Sequence, residues 1–409
     1  MDGRPFDVLL YGAGGFTGRQ TVAYFSSHAP AGLRWALAGR NPGNLEAALG
    51  AATGPSQPVA VLQADSQNQA SVDAVVSRSR VVLSTAGPFA LYGGSVVDAC
   101  VRFHSDYVDI TGETPWVADL ITQHHARAAA DGVRIIPCCG FDSVPSDLGT
   151  LLLVQFLRSR GTACGPVKAA FRFRGGLNGG TVASMGQLFK SGQAHRVRDP
   201  FLLDAPQRHT AEEKKAARDP TRAGWDKDLG RWLAPYFMAP VNTRVVRRSA
   251  ALVTGTASEY GPRFAYQEML AVRGRLQASA LAAGISLVQA ALGTPARSVL
   301  QRLLPSPGTG PSAQTIASGW FQCDLVAVGE DGQKAYGLVR DRGDPGNAVT
   351  VKCLCESALA LALDASRLPG GARRGGILTP ATGLGDVLVD RLRARGMVLA
   401  AASSPPGSS

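Results

Sequence analysis

The stretch Val8 to Gly18, VLLYGAGGFTG, sets Gly12, Gly15 and Gly18 three residues apart, with Gly14 as an extra glycine. Glycines placed after an apolar strand and before a helix let the backbone turn tightly. They also let a pyrophosphate reach the amides at the helix N-terminus. The helix begins near Phe16 and Thr17. The spacing is GxxGxxG rather than the usual GxGxxG, so a plain strand-to-helix turn stays open as the alternative.

The next apolar strand ends in AGRN, placing Arg40 and Asn41 where NAD-binding chains usually carry Asp or Glu for the ribose 2′-hydroxyl. An arginine there attracts a 2′-phosphate instead. A charge-assisted hydrogen bond contributes roughly 1.5–3 kcal/mol, or about 10- to 150-fold in preference. The residues therefore point to NADP(H) over NAD(H), with an ordinary surface arginine as the alternative. Asp65 closes the third strand in LQAD and would sit beside the adenine. Ala86, Gly87 and Pro88, in STAGPF after the fourth strand, would pass under the nicotinamide ribose.

The elements that must hold these residues alternate regularly. The apolar runs FDVLLYGA, LRWALAGR, PVAVLQAD, RVVLSTAG, DYVDITGE and VRIIPCCG are separated by helical patterns such as NQASVDAVVSR and PWVADLITQHHARAAADG. This pattern predicts a Rossmann-type, doubly wound α/β sheet over residues 1–150. Beyond it the rhythm changes. VKAAFRFRG alternates like a half-exposed strand, residues 200–231 read as a polar surface excursion or lid, and Asp331-Gly332 joins two strands as a hairpin. AVTVKCLCESALALALDASRL follows as a long helix pattern. Residues 401–409, AASSPPGSS, read as a disordered tail.

Composition narrows the function classes. The chain has 409 residues, 45% of them hydrophobic, and a net charge of +11 carried mostly by scattered arginines. No basic block marks a nucleic-acid site; an anionic cofactor or a lipid surface fits better. Seven cysteines occur without a CxxC pair, which suggests free thiols in a reducing compartment. The start, MDGRPFDVLLYG, shows no signal-peptide pattern. The expected location is cytoplasmic, with peripheral membrane contact left open. The longest apolar candidate, 279–292, would span roughly 20 Å as a helix against about 30 Å of hydrocarbon. A buried helix is the favoured reading, and an interfacial helix the alternative.

The strings GAGGFTGRQT, LAGRN, AGPFALYGGSVVDAC, DYVDITGE, CCGFDSVPSDLG, VVRRS and GGILTPATGLGD spread over nearly the whole chain. They resemble the saccharopine dehydrogenase-like oxidoreductase family, which includes the trans-acting enoyl reductases. The resemblance implies a Rossmann domain at 1–150 and a second α+β domain at 151–346, for substrate and dimerisation, with an apolar stretch near 279–304. It implies a C-terminal segment, 347–400, that packs back on the first domain. It also implies Gly12, Gly15, Phe16, Thr17, Gly18, Arg40 and Asn41 at the cofactor. The activity implied is NADPH-dependent reduction of an enoyl group on a lipid or polyketide-derived intermediate. Some members are associated with lipid droplets or membranes. Partners expected are thus a small-molecule or lipid-like substrate, with a lipid surface and a homodimer left open.

Hydride transfer to an activated double bond leaves an enolate-like charge, so such a site needs an oxyanion stabiliser and a proton source. Strand C-terminal ends supply Tyr92, Glu113 and Asp142 with Ser143. Tyr92 fits an acid, a cofactor-stacking ring or a core residue. Glu113 fits a substrate ligand, or a helix cap or structural hydrogen bond, which is slightly favoured. Asp142 fits a proton source or the helix cap in DSVPSD, and the cap is favoured. His124 and His125 have no third ligand at metal spacing, so no metal is expected. GxSxG and HExxH do not occur, which removes two hydrolase classes. A nucleotide-binding protein without turnover stays open, as does a saccharopine-type dehydrogenase. The latter needs arginines such as Arg172 and Arg174 to converge on substrate carboxylates.

Overall fold

The computed structural model describes residues 3–52, 59–176, 179–204, 209–292 and 309–405. The six apolar runs become β1 (Phe6–Tyr11), β2 (Trp35–Gly39), β3 (Ala60–Gln63), β4 (Ser79–Ser84), β5 (Asp106–Asp109) and β6 (Arg134–Ile136). All pair in parallel, in the order β6-β5-β4-β1-β2-β3. The central strands are apolar on both faces because helices cover both sides: Val8 to Leu10 on β1 and Val81 to Leu83 on β4 are fully buried. The order reverses between β1 and β4, and this is where an open α/β sheet forms its ligand crevice.

A second seven-stranded sheet holds β7 (Cys164–Arg174), β8 (Gly224–Asp226), β9 (Arg231–Ala234), β10 (Ala265–Val272), β11 (Trp320–Gly329) and β12 (Lys334–Arg342). The hairpin expected at Asp331-Gly332 is β11 and β12, which pair antiparallel across a turn with Gly332 at φ +85°. The helix Val144–Arg158, which follows β6 in the chain, packs against β7, β11 and β12 of the second sheet.

The C-terminal region divides between the sheets. The helix Thr350–Leu363 covers β1, β4 and β5, and β13 (Gly376–Ile377) adds a seventh parallel strand beside β6. Arg134 fastens this return by donating to the carbonyls of Gly383 (2.8 Å) and Pro369 (3.1 Å). β14 (Val398–Ala402) instead pairs with β12 in the second sheet. Ala401 and Ala402, expected in a disordered tail, therefore lie in a strand, and residues 406–409 lie outside the described residues.

Two readings of apolar segments change. The helix Arg275–Leu292 is largely exposed, with Leu276 at 89% and Leu287 at 72%, and Ala278 is its buried contact. The favoured buried helix, 279–292, is thus overturned over 279–287, and 293–304 lies outside the described residues. Among the described residues, the segment long and apolar enough to cross a membrane is instead Pro345–Leu363, most of which is buried in the core. The 200–231 excursion is pinned to the helix Ala239–Val253. Arg244 pairs with Asp219, and Arg247 donates to the carbonyls of Pro200 (2.9 Å) and Ala217 (2.8 Å).

Candidate functional site

Gly12 follows β1 at φ +84°, and a Cβ there would lie 2.8 Å from the Ala86 amide nitrogen. The chain turns sharply here because the loop after β4 passes directly against it. Gly18 is buried in the helix Phe16–His28, where a Cβ would collide with the backbone of Gly12 and Ala13. Its role is close packing of helix on strand. Gly14 faces the Asn44 side chain, 3.1 Å from a hypothetical Cβ. Gly15 differs from all three. It is exposed, has an ordinary φ of −76°, and a Cβ would meet only Gly12 O at 3.4 Å. What a side chain at Gly15 would occupy is open space in front of the helix.

That helix start is uncapped. Gly15 has no side chain to accept from the amides of the first turn, which includes Phe16 and Thr17. The neighbouring helices Pro42–Ala51 and Gln69–Val76 are capped by Asn41 and Asn68, each accepting from an amide three residues on. Asn41 is therefore engaged as a cap (Asn44 N to Oδ1, 3.2 Å). The first helix keeps its donors for an external acceptor, a fit for phosphate oxygens. Phe16 lies against Gly310, so the segment beginning at Thr309 borders the loop.

Arg40 follows β2, exposed, with no carboxylate partner among the described residues. Its guanidinium carbon lies 6.0 Å from the Tyr92 ring. Tyr92, on the short helix Phe89–Tyr92, thus joins Arg40 at the β2 end of the crevice. Asp65 follows β3 and accepts from the Gln67 amide (3.0 Å), which closes a turn. Ala86, Gly87 and Pro88 form the loop between β4 and that short helix, with Ala86 against Gly12.

Glu113 does not cap its own helix, Thr114–Ala130. Its carboxylate accepts from the Phe89 amide (2.8 Å), the Ala90 amide (2.9 Å) and Ser184 Oγ (2.7 Å). It is a structural clamp on the loop after β4. Asp142 and Ser143 do not cap the helix Val144–Arg158 either. A Cβ at Gly112 would lie 4.0 Å from Asp142 Oδ2, which places Asp142 beside the end of β5. Among the described residues its carboxylate has no hydrogen-bond or ion-pair partner, and desolvation raises its pKa to about 6.

Asp142 is half-buried; the fully buried acids nearby are tied down. Asp109 accepts from Tyr107 Oη (2.9 Å), the Thr111 amide (2.9 Å) and the Cys138 amide (3.0 Å). Asp147 accepts from Ser249 Oγ and the Ala381 amide (2.7 Å). Glu268 accepts from Ser146 (2.8 Å), Tyr266 (2.9 Å) and Asn242 (2.6 Å). Burial raises Asp109, Asp147 and Glu268 to about 7 despite these donors.

All seven cysteines are free and buried, and burial pushes the Cys138 and Cys139 thiols well up. Among the described residues no group of three metal-ligating side chains converges. His125 Nδ1 instead accepts from the Ile377 amide (3.0 Å), holding β13. Arg172 pairs with Asp324 (3.3 Å), and Arg174 is exposed at the end of β7. The sequence did not single out Tyr236. It is 4% exposed, its hydroxyl is buried with no partner among the described residues, and it stacks on Phe171. Nothing in the spacing links it to Asp142.

A Mycobacterium tuberculosis protein provisionally named trans-acting enoyl reductase is 36% identical to this chain, over 97% of each. Trans-acting enoyl reductases of Mycobacterium bovis and Mycobacterium ulcerans are 34% and 33% identical, over 97% of this chain and 97% and 98% of theirs. The chain belongs to the trans-acting enoyl reductase family. The fold matches that of saccharopine dehydrogenase. Saccharopine dehydrogenase from Saccharomyces cerevisiae superposes with a TM-score of 0.52 at 15% identity, over 97% of this chain and 99% of that one. Homospermidine synthase from Legionella pneumophila, solved with NAD, gives 0.54 at 10% identity, over 98% and 91%. No family model matches the chain. Membership and fold together make this enoyl reductase relative an oxidoreductase.

Proposed function

We propose that the protein is an NADPH-dependent reductase of an enoyl thioester on a lipid or polyketide-derived chain. The observation that carries this reading is the pairing of an uncapped helix start at Gly15 with an unpaired, exposed Arg40 on the neighbouring strand end. The first offers amides to a pyrophosphate and the second a charge to a 2′-phosphate. Tyr92 flanks Arg40 and belongs, in this reading, to the adenosine end of the cofactor. The loop Ala86–Pro88, held by Glu113, supports the nicotinamide ribose. Bound NADPH would supply a hydride to the β-carbon of the enoyl group.

Of the two arginines that the saccharopine-type alternative needs, Arg172 is already paired with Asp324. The test is a titration with NADPH and NADH, followed by cofactor oxidation with enoyl thioesters. Preference for NADPH that Arg40→Asp abolishes, together with substrate-dependent oxidation, is the expected result. Equal affinity for both cofactors in the unmodified protein contradicts it.

A further inference from the structure

Asp142 stands where the two sheets meet. On one side it borders Gly112 at the end of β5 and follows the backbone that leaves β6. On the other, its neighbour Phe141 inserts into the second sheet, with ring centroids 4.9 Å from Phe321, 6.0 Å from Phe171 and 6.3 Å from Phe173. Tyr236 stacks on Phe171 (5.1 Å) and meets Phe237 edge-on (5.3 Å). This aromatic cluster is buried at its centre, but Phe173 and Phe237 remain 36% and 45% exposed at its rim.

Two buried polar atoms at this junction, Ser143 Oγ and the Tyr236 hydroxyl, lack partners among the described residues, and the half-buried Asp142 carboxylate beside them has none either. Buried polar groups are rarely left unpaired, and those that are call for an explanation. The backbone adds a second anomaly. Cys138, four residues before Asp142, has φ +64°, a left-handed conformation uncommon for any residue but glycine. It is held there by its amide bond to Asp109. Strained backbone of this kind concentrates at functional sites.

We infer that Asp142 delivers the proton to the substrate's α-carbon, that the Tyr236 hydroxyl donates to its acyl oxygen, and that Phe173 and Phe237 hold an apolar acyl chain. This rests on the enoyl reductase reading. The step balances with NADPH as reductant. Hydride adds to the β-carbon, the electrons of the double bond move toward the thioester oxygen, and the resulting enolate takes the Asp142 proton at the α-carbon. Water then reprotonates Asp142. Among the described residues the titratable groups around Asp142 are Tyr236 and Cys138, and burial holds both in their neutral forms. Asp142 therefore governs a loss of rate as pH rises past about 6.

The experiment follows the full-length protein with an enoyl thioester and NADPH in deuterated water, reading the stereochemistry of deuterium at the α-carbon. Asp142→Asn should bind NADPH normally and lose about 100-fold or more in turnover. Its residual product should be deuterated on both faces, and the fall in rate above pH 6 should disappear. Tyr236→Phe should lose about 10-fold or more in turnover and keep the stereochemistry. Phe237→Ala should raise KM for a dodecenoyl thioester more than for crotonyl. Full turnover and single-face deuteration in Asp142→Asn would overturn the acid assignment while leaving the reductase standing. Failure of the unmodified protein to reduce any enoyl thioester, with NADPH bound, would instead remove the reductase reading and this inference with it.

Discussion

Glu113 Oε1 accepts a 2.7 Å hydrogen bond from Ser184 Oγ, and the same carboxylate accepts from the amides of Phe89 and Ala90. One buried side chain thus ties the loop after β4 to the helix Gly179–Lys190. The neighbouring sequence, DITGE before a helix, suggests a local cap. The structure shows a long-range clamp.

Removing that clamp should cost both stability and cofactor binding. Hydrogen bonds to a charged group contribute about 1.5–3 kcal/mol, and an orphaned buried donor adds its own desolvation cost. Glu113→Ala should lose about 2–4 kcal/mol in urea unfolding and bind NADPH several-fold more weakly. Ser184→Ala removes one neutral donor and should lose about 1 kcal/mol. Equal losses in the two variants would contradict the clamp.

The glycine loop separates two roles that its spacing alone does not distinguish. Gly15→Val places a side chain in open space, at a φ that valine adopts, and should leave thermal unfolding unchanged while abolishing NADPH binding. Gly18→Val drives a side chain into the backbone of Gly12 and Ala13 and should destabilise the fold by about 3 kcal/mol. Fluorescence titration and thermal unfolding on both variants check this. A folded Gly15→Val protein that binds NADPH as before would reduce GAGGFTG to a plain turn.

Asp142 should be a liability to the fold. Its carboxyl titrates near 3.8 in the unfolded chain and near 6 in the folded one. Between those values the native state holds the extra proton, so stability falls as pH rises through this window and stays low above it. The difference corresponds to an upper bound of about 3 kcal/mol. Asp142→Asn should therefore be more stable than the unmodified protein at pH 7.5, by about 1–3 kcal/mol, and no more stable at pH 4. An Asn variant that is less stable at both pH values would mean that the carboxylate has a partner.

Much of this architecture was legible in the chain. Six apolar runs with helical spacers define the first sheet, because strands buried on both faces leave continuous hydrophobic stretches. β13 was not legible, since Gly376–Ile377 is two residues long and gains its meaning only from the edge of β6. The helix Arg275–Leu292 misled for a different reason. It is rich in Ala and Leu with few polar residues, and such a composition does not say which side, if any, is covered. At the site, Arg40 and the glycines announce themselves by position after a strand. Tyr236 does not, because it lies far from Asp142 in the chain and no motif spacing ties the two.

The central claim is hydride transfer from NADPH to an enoyl thioester. NADPH carrying deuterium at C4 of the nicotinamide should be incubated with the full-length protein and the thioester, and the product examined by mass spectrometry and NMR. The account predicts one deuterium at the β-carbon, delivered from NADPH and not from equally concentrated NADH. A bound, unconsumed cofactor with no label in any thioester product would contradict it, and would leave a nucleotide-binding protein without turnover.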